Sequence, residues 1–193
     1  MTDATTPVRL LGLSGSLRRG SHCTAVLRTL GETLGGRAAL ELFPLNEIPL
    51  YDGDLDGEEQ PAPVRALKAA IAGSDGLVVI SPEYNYAMSG VLKNAIDWAS
   101  RPNGKSPLVG KPAVIMTASP ATTGGVRAQH GMREVLSACQ CRVLARPQVV
   151  IAAVHQKVTE GRLTDEASLQ FAAAAVDDLL REIHLLRQVP AAA

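Results

Sequence analysis

The sequence offers no net charge to a polyanion: Lys plus Arg and Asp plus Glu number 19 each in 193 residues. A neutral chain lacks the general electrostatic pull of nucleic-acid-binding proteins or of proteins held on anionic membranes. No nucleic-acid or membrane partner is therefore expected. Cysteine is scarce, with only Cys23, Cys139 and Cys141. An odd, irregularly spaced set argues against a disulfide framework and fits a reducing compartment. Cys139 and Cys141 also lack the two-residue spacer of redox and zinc motifs, so no metal site is expected. No apolar run nears the ~18–20 residues of a membrane-spanning helix. Residues 1–7 lack the basic-then-apolar pattern of a secretory signal, and cytoplasm is the expected location. Internal repeats and low-complexity linkers are missing too.

What is present suits a packed domain. Apolar residues make up 46% and charged residues 20%, which separates the chain from disordered sequences. Its length fits one domain, 1–193, with an ordered core at about 8–188. Leu77, Val78, Val79 and Ile80 suit a strand buried on both faces of a parallel sheet. Pro82 cannot donate to a ladder and ends it. Leu92, Ala95, Ile96 and Ala99 then recur at helical spacing behind Ser89, a good N-cap.

The same alternation runs along the whole chain. Strands are predicted at 8–13, 38–43, 77–80, 113–117 and around 149–151. Helices are predicted at about 21–34, through Val64, Leu67 and Ile71, at 89–100, at 126–138, and from an N-cap at Thr164 through Ile183. Residues 44–60 read as a solvated acidic loop with Glu47, Asp52, Asp54, Asp56 and Glu58, residues 156–163 as a surface turn, and 191–193 as a frayed tail. Regular alternation of this kind implies an α/β, doubly wound, five-stranded parallel sheet with helices on both faces.

In such a sheet the loops after the first, third and fourth strands converge on one edge, where ligands bind. The first, 14–21, suits a phosphate. Gly15 and Gly20 allow close backbone approach, Ser16 and Ser21 bring hydroxyls, and Arg18 brings a fork of donors at a helix N-terminus. It matches neither a Walker loop nor the dinucleotide Gly-x-Gly-x-x-Gly pattern. The same residues also suit an ordinary Gly/Ser turn with a surface arginine. The second loop, 81–89, offers Tyr84 and Tyr86 and an unpaired backbone around Pro82, Glu83, Tyr84 and Asn85, which suits a flat ring with polar edges; a tyrosine-bearing surface loop reads similarly. The third, 119–125, closes over the same place with Ser119, Gly124 and Gly125. A single phosphate joined by a short chain to a planar, hydrogen-bonding ring fits all three loops, and FMN has that shape.

At these residues the sequence resembles the NADPH-dependent FMN reductase family, the flavodoxin-like quinone and chromate reductase group. The stretch from Gly15 to Ser21 looks like its phosphate loop. Pro82-Glu83-Tyr84-Asn85 and the run from Leu92 to Trp98 look like its second signature. The resemblance implies a flavodoxin-like fold with strand order 2-1-3-4-5 and bound FMN. It implies that Ser16, Arg18 and Ser21 hold the phosphate, that Pro82, Glu83, Tyr84 and Asn85 line the ring largely through backbone, and that Ser119 meets it from the far side. The family commonly carries Asn where this chain has Cys23. A thiol is a poor donor, so either phosphate binding weakens or a backbone amide takes over.

The activity implied is transfer of two electrons from NADPH or NADH through FMN to a small acceptor such as a quinone, an azo compound, chromate or free flavin. No catalytic side chain is expected, because the chemistry belongs to the flavin. Family members imply a homodimer or homotetramer. Two alternatives stay open: a flavodoxin-type electron carrier without a substrate site, and a reductase that supplies reduced FMN to a monooxygenase. Arg19, Arg101 and Arg127 are candidate contacts for a 2′-phosphate on the donor.

Overall fold

Runs of branched apolar residues build the sheet, and periodic apolar residues between them build helices that cover it. The computed structural model describes residues 7–57 and 60–189. Glu58 of the acidic loop and the tail 191–193 lie outside the described residues. The sheet strands are β1 (Val8–Ser14), β2 (Ala38–Phe43), β3 (Gly76–Ser81), β4 (Pro112–Ala118), β5 (Arg142–Val143) and β6 (Val149–Ile151). The helices are α1 (His22–Thr33), α2 (Ala62–Gly73), α3 (Gly90–Ala99), α4 (Val126–Ala138) and α5 (Glu166–Gln188). Every strand pair in the sheet is parallel, in the order β2-β1-β3-β4, with β5 and β6 both on the outer edge of β4.

That outer edge differs from the single strand expected near 149–151. Pro112 and Ala113 pair with Arg142 and Val143, whereas Met116, Thr117 and Ala118 pair with Val149, Val150 and Ile151. Between the two segments the chain leaves the ladder. Pro147 has no N–H to give it, and the Arg146 guanidinium turns to Asp178 at 3.5 Å and to the Phe171 ring at 5.5 Å, both on α5.

β3 and β4 are buried at every residue. Their alternate side chains serve opposite faces. Val78, Ile80, Val114 and Met116 join the core under α1 and α5, and Leu77, Val79, Ala113 and Ile115 join the one under α2, α3 and α4. Each of these side chains larger than alanine contributes about 1.5–3 kcal/mol on burial, so the two cores hold the strand ends, and the loops they carry, in fixed positions.

Other sequence expectations shift locally. Asp165, not Thr164, caps α5, its carboxylate accepting from Ser168 N at 2.9 Å. The stretch 156–163 forms a small hairpin of Val158–Thr159 with Arg162–Leu163, and the buried Leu163 donates its N–H to Thr29 Oγ1 at 3.0 Å. The acidic loop is not wholly solvated: Asp56 is half-buried and paired with Lys68 at 3.5 Å. The same loop is pinned by α3, since the Pro49 carbonyl accepts from Asn94 Nδ2 at 2.7 Å and from Trp98 Nε1 at 2.9 Å. Trp98 is fully buried. No helix among the described residues is long and apolar enough to cross a membrane.

Candidate functional site

The loops that follow β1, β3 and β4 meet at the carboxyl edge of the sheet. Gly15 makes the first contact. Its N–H donates to the Ile80 carbonyl at 2.8 Å, and a Cβ on it would lie 2.7 Å from Ser89 Oγ and 3.0 Å from Ser81 Oγ. Glycine alone lets the first two loops touch here. Ser21 caps α1, its Oγ accepting from Thr24 N at 3.1 Å, which leaves the hydroxyl proton free to donate. No acceptor meets the N–H groups of His22 or Cys23 among the described residues. Ser16 is half-buried, and Arg18 is exposed with no carboxylate partner among the described residues. The start of α1 therefore presents free N–H groups, two serine hydroxyls and a guanidinium at one point.

Cys23 lies beneath this point with its thiol in the core, 3.9 Å from the Ala118 carbonyl. Burial pushes that thiol up to about 12, so it stays protonated. His22 Nδ1 is buried without a hydrogen-bond partner among the described residues. Burial first, then the Arg18 guanidinium and His155, hold this imidazole below its ordinary 6.5.

The second loop is a two-residue hairpin, Glu83–Tyr84 with Ala87–Met88. Its central residues, Asn85 and Tyr86, have φ of 50° and 67°. Positive φ at both positions is the type I′ pattern, which Asn tolerates and Tyr resists. The Arg127 guanidinium sits 4.4 Å from the Tyr86 ring and steadies it. Pro82 is buried, and its carbonyl accepts from Ser81 Oγ at 2.7 Å. Tyr84, half-exposed, lines a cavity of about 360 Å³ together with Gly15, Ser16, Leu17, Arg18 and Val91. That cavity joins the predicted phosphate loop to the predicted ring loop.

Glu83 turns the other way. Its carboxylate accepts from the N–H groups of Arg127 (2.9 Å) and Ala128 (3.2 Å) and pairs with the Arg127 side chain at 3.3 Å. Gly125, the N-cap of α4, has no side chain to do this, so Glu83 supplies the anion that the positive helix end favours. The contact ties the second loop to the third. Gly125 adopts φ 88°, and a Cβ there would lie 3.1 Å from Thr117 Cβ and 3.3 Å from Glu83 Cβ. Ser119 opens the third loop, buried, with its Oγ accepting from Ala121 N at 3.2 Å and its N–H donating to Ile151.

With this geometry in place, similarity to known proteins is specific. The model of the NADPH-dependent FMN reductase family matches residues 8–156, well over half of the chain. The chain belongs to that family. An NAD(P)H-dependent FMN reductase of Pseudomonas aeruginosa is 40% identical over 160 residues, covering 82% of this chain and 86% of the relative. A quinone reductase of Escherichia coli is 39% identical over 166 residues, covering 84% and 88%. Among solved structures, the flavoenzyme NAD(P)H:(acceptor) oxidoreductase FerB from Paracoccus denitrificans superposes with a TM-score of 0.81 at 31% identity, covering 92% of this chain and 98% of that one. The fold is accordingly flavodoxin-like, with a parallel sheet of about five strands between helices. As a member of the family the chain is an oxidoreductase that uses FMN and takes electrons from NAD(P)H.

The residues of this reductase fit the cofactor. A phosphate dianion needs several donors and a compensating charge. The free N–H groups of α1, the Ser16 and Ser21 hydroxyls and Arg18 offer both, and Gly15 keeps the approach open. Sequence reading names Ser89 only as a helix cap and passes over Val91 and Thr24. Ser89 shapes the contact with Gly15, Val91 walls the cavity, and Thr24 Oγ1 bonds Ser14 Oγ at 3.0 Å beside the loop. Thr24 stands three residues after Ser21, and that helical spacing is the signal that would have found it; no local pattern marks Val91.

Proposed function

We propose that this reductase passes two electrons from NAD(P)H to a small quinone-class acceptor through FMN held at the carboxyl edge of the sheet. The observation that carries the reading is the shared cavity: Ser16 and Arg18 of the first loop and Tyr84 of the second line one space, beside unsatisfied N–H groups of α1. Ser16, Arg18 and Ser21 hold the phosphate. Cys23 contributes its backbone N–H rather than its thiol, which is occupied in the core. Pro82, Tyr84 and Asn85 line the ring, and Glu83 keeps their loop against α4. Ser119 bounds the far side. FMN, when bound, supplies the hydride and electron chemistry; the chain binds, orients and shields it, with no side chain acting as nucleophile.

We read the functional unit as one domain at about 8–188, working as a homodimer or homotetramer in the cytoplasm. β5 and β6 are read as one interrupted edge strand, which gives the order 2-1-3-4-5. The test is the visible spectrum of the protein with added FMN, followed by anaerobic NADPH and then a quinone. Bound flavin that bleaches and recovers its colour with quinone supports the reading. Flavin that stays oxidised indicates an electron carrier, loss of flavin on gel filtration indicates supply of reduced FMN to a partner, and no binding overturns the site.

A further inference from the structure

A second cavity, of about 500 Å³, opens on the other side of the first loop, toward β2. Its rim carries three arginines, Arg18, Arg19 and Arg28, and no aspartate or glutamate among the described residues lines it. None of the three guanidinium groups is hydrogen-bonded or ion-paired among the described residues, although seven other arginines there are paired to carboxylates. Three like charges around one hollow repel one another until an anion enters. The floor is different. Leu42, Phe43 and Leu45 are apolar, and Asn46 stands at the edge. An aromatic ring among apolar residues, one amide and three guanidinium groups together suit a purine nucleotide that carries a phosphate monoester.

We propose that this cavity takes the 2′-phosphoadenosine half of NADPH. The inference rests on the reading of the chain as an FMN- and NAD(P)H-dependent reductase. Ser16, Leu17 and Arg18 line both this cavity and the one that reaches Tyr84 and Val91, so the two adjoin across the first loop. The two cavities flank β1 on the β3 and β2 sides, about two strand spacings or ~10 Å apart, a span that suits a dinucleotide lying across the loop. Arg28 is six residues beyond His22, about 9 Å further along the helix axis. That offset suits it to a second anionic group beside the one at the helix N-terminus. The other arginines that the sequence suggested for this role are engaged: Arg127 holds Glu83 and stacks on Tyr86, and Arg101 lies over the Tyr51 ring at 5.8 Å. NADH brings a hydroxyl to the same place and leaves the guanidinium groups without an anion, so the cavity selects NADPH.

The test titrates FMN-loaded protein calorimetrically with adenosine 2′,5′-bisphosphate and with 5′-AMP at fixed ionic strength. The bisphosphate is expected to bind about tenfold tighter or better, as a charge-assisted contact implies. R19E/R28E is expected to abolish that advantage, and the milder R19Q/R28Q to reduce it, while FMN affinity followed by flavin fluorescence moves less than about threefold. Equal binding of the two nucleotides by the wild type overturns the proposal, as does an advantage that survives in the variants. A parallel loss of FMN affinity also overturns it, because the arginines then belong to the cofactor phosphate. So does a second FMN per chain that the variants lose. If the protein takes up no FMN at all, the functional reading fails separately, and the same titration on the apoprotein still decides whether the cavity selects the bisphosphate.

Discussion

The first and second loops lie against each other, yet they use their polar groups in opposite ways. In the loop after β1, the Arg18 guanidinium, the Ser16 hydroxyl and the N–H groups of His22 and Cys23 have no protein partner among the described residues. In the loop after β3, Ser81, Ser89 and Glu83 are all bonded within the protein, and Arg127 braces Tyr86. One loop leaves its donors unpaired. The other spends them on its own shape, because a hairpin with Tyr86 at φ 67° persists only where its surroundings hold it. Binding and stability should therefore separate between the two loops under mutation.

The strongest test of that separation is Arg18→Gln. It removes the charge beside the anion position, so FMN affinity should fall by about 1.5–3 kcal/mol, on the order of 10–100-fold. Unfolding of the apoprotein in urea should stay within about 0.5 kcal/mol of the parent, as for other exposed positions. A matching loss of stability would break the contrast. Gly15→Ala tests where the loops touch. The new methyl would press on Ser89 Oγ at 2.7 Å, so both quantities should drop together, with about 1–3 kcal/mol lost from stability.

Glu83→Gln moves the other way round. It keeps the shape but removes the anion from the N-terminus of α4, and it should cost about 1–2 kcal/mol of apoprotein stability by thermal or urea unfolding. FMN affinity should change only as a consequence of that loosening, in proportion and after it. A large binding defect with no stability change would show instead that the carboxylate serves the ligand directly.

The smallest effect is expected at His22. Its folded value lies below 6.5, so the folded state favours the neutral ring. The associated stability is complete above about pH 6.5 and is lost as the pH falls through the unfolded value toward the lower folded one. Urea midpoints of the apoprotein should fall over that window, and His22→Gln should flatten the fall. A phosphate dianion nearby favours the protonated ring. FMN binding near pH 6 should then take up protons, which calorimetry in two buffers of different ionisation enthalpy measures directly. Equal heats in both buffers would separate His22 from the phosphate position.

Where the sequence could be read, the reasons were local. The first loop compresses glycine, serine and arginine into eight residues, and α1 begins at its last serine, so its donor set follows from chain order alone. The buried strands β3 and β4 announce themselves by uninterrupted apolar residues. Glu83 could not be read this way. Its partners Arg127 and Ala128 lie 44 and 45 residues further on, and only packing of the third loop against the second brings them within reach. Cys23 shows the same limit: sequence places it in the phosphate loop's helix, while helix rotation turns its thiol to Ala118. The split edge strand had a visible signal in Pro147, but the pull of Asp178 and Phe171 on Arg146 was not visible.

By itself the sequence determined the α/β alternation, the parallel sheet and the three loops at its carboxyl edge, because strand burial, helix periodicity and turn chemistry are properties of neighbouring residues. The tertiary structure alone decided which polar groups remain free. It joined Tyr84 to Arg18 across one cavity, committed Glu83 to a helix end and gathered Arg19 and Arg28 around an apolar hollow. Hydrogen bonds and charge are settled by distance in space, and residues far apart in the chain acquire that distance only when the sheet has formed.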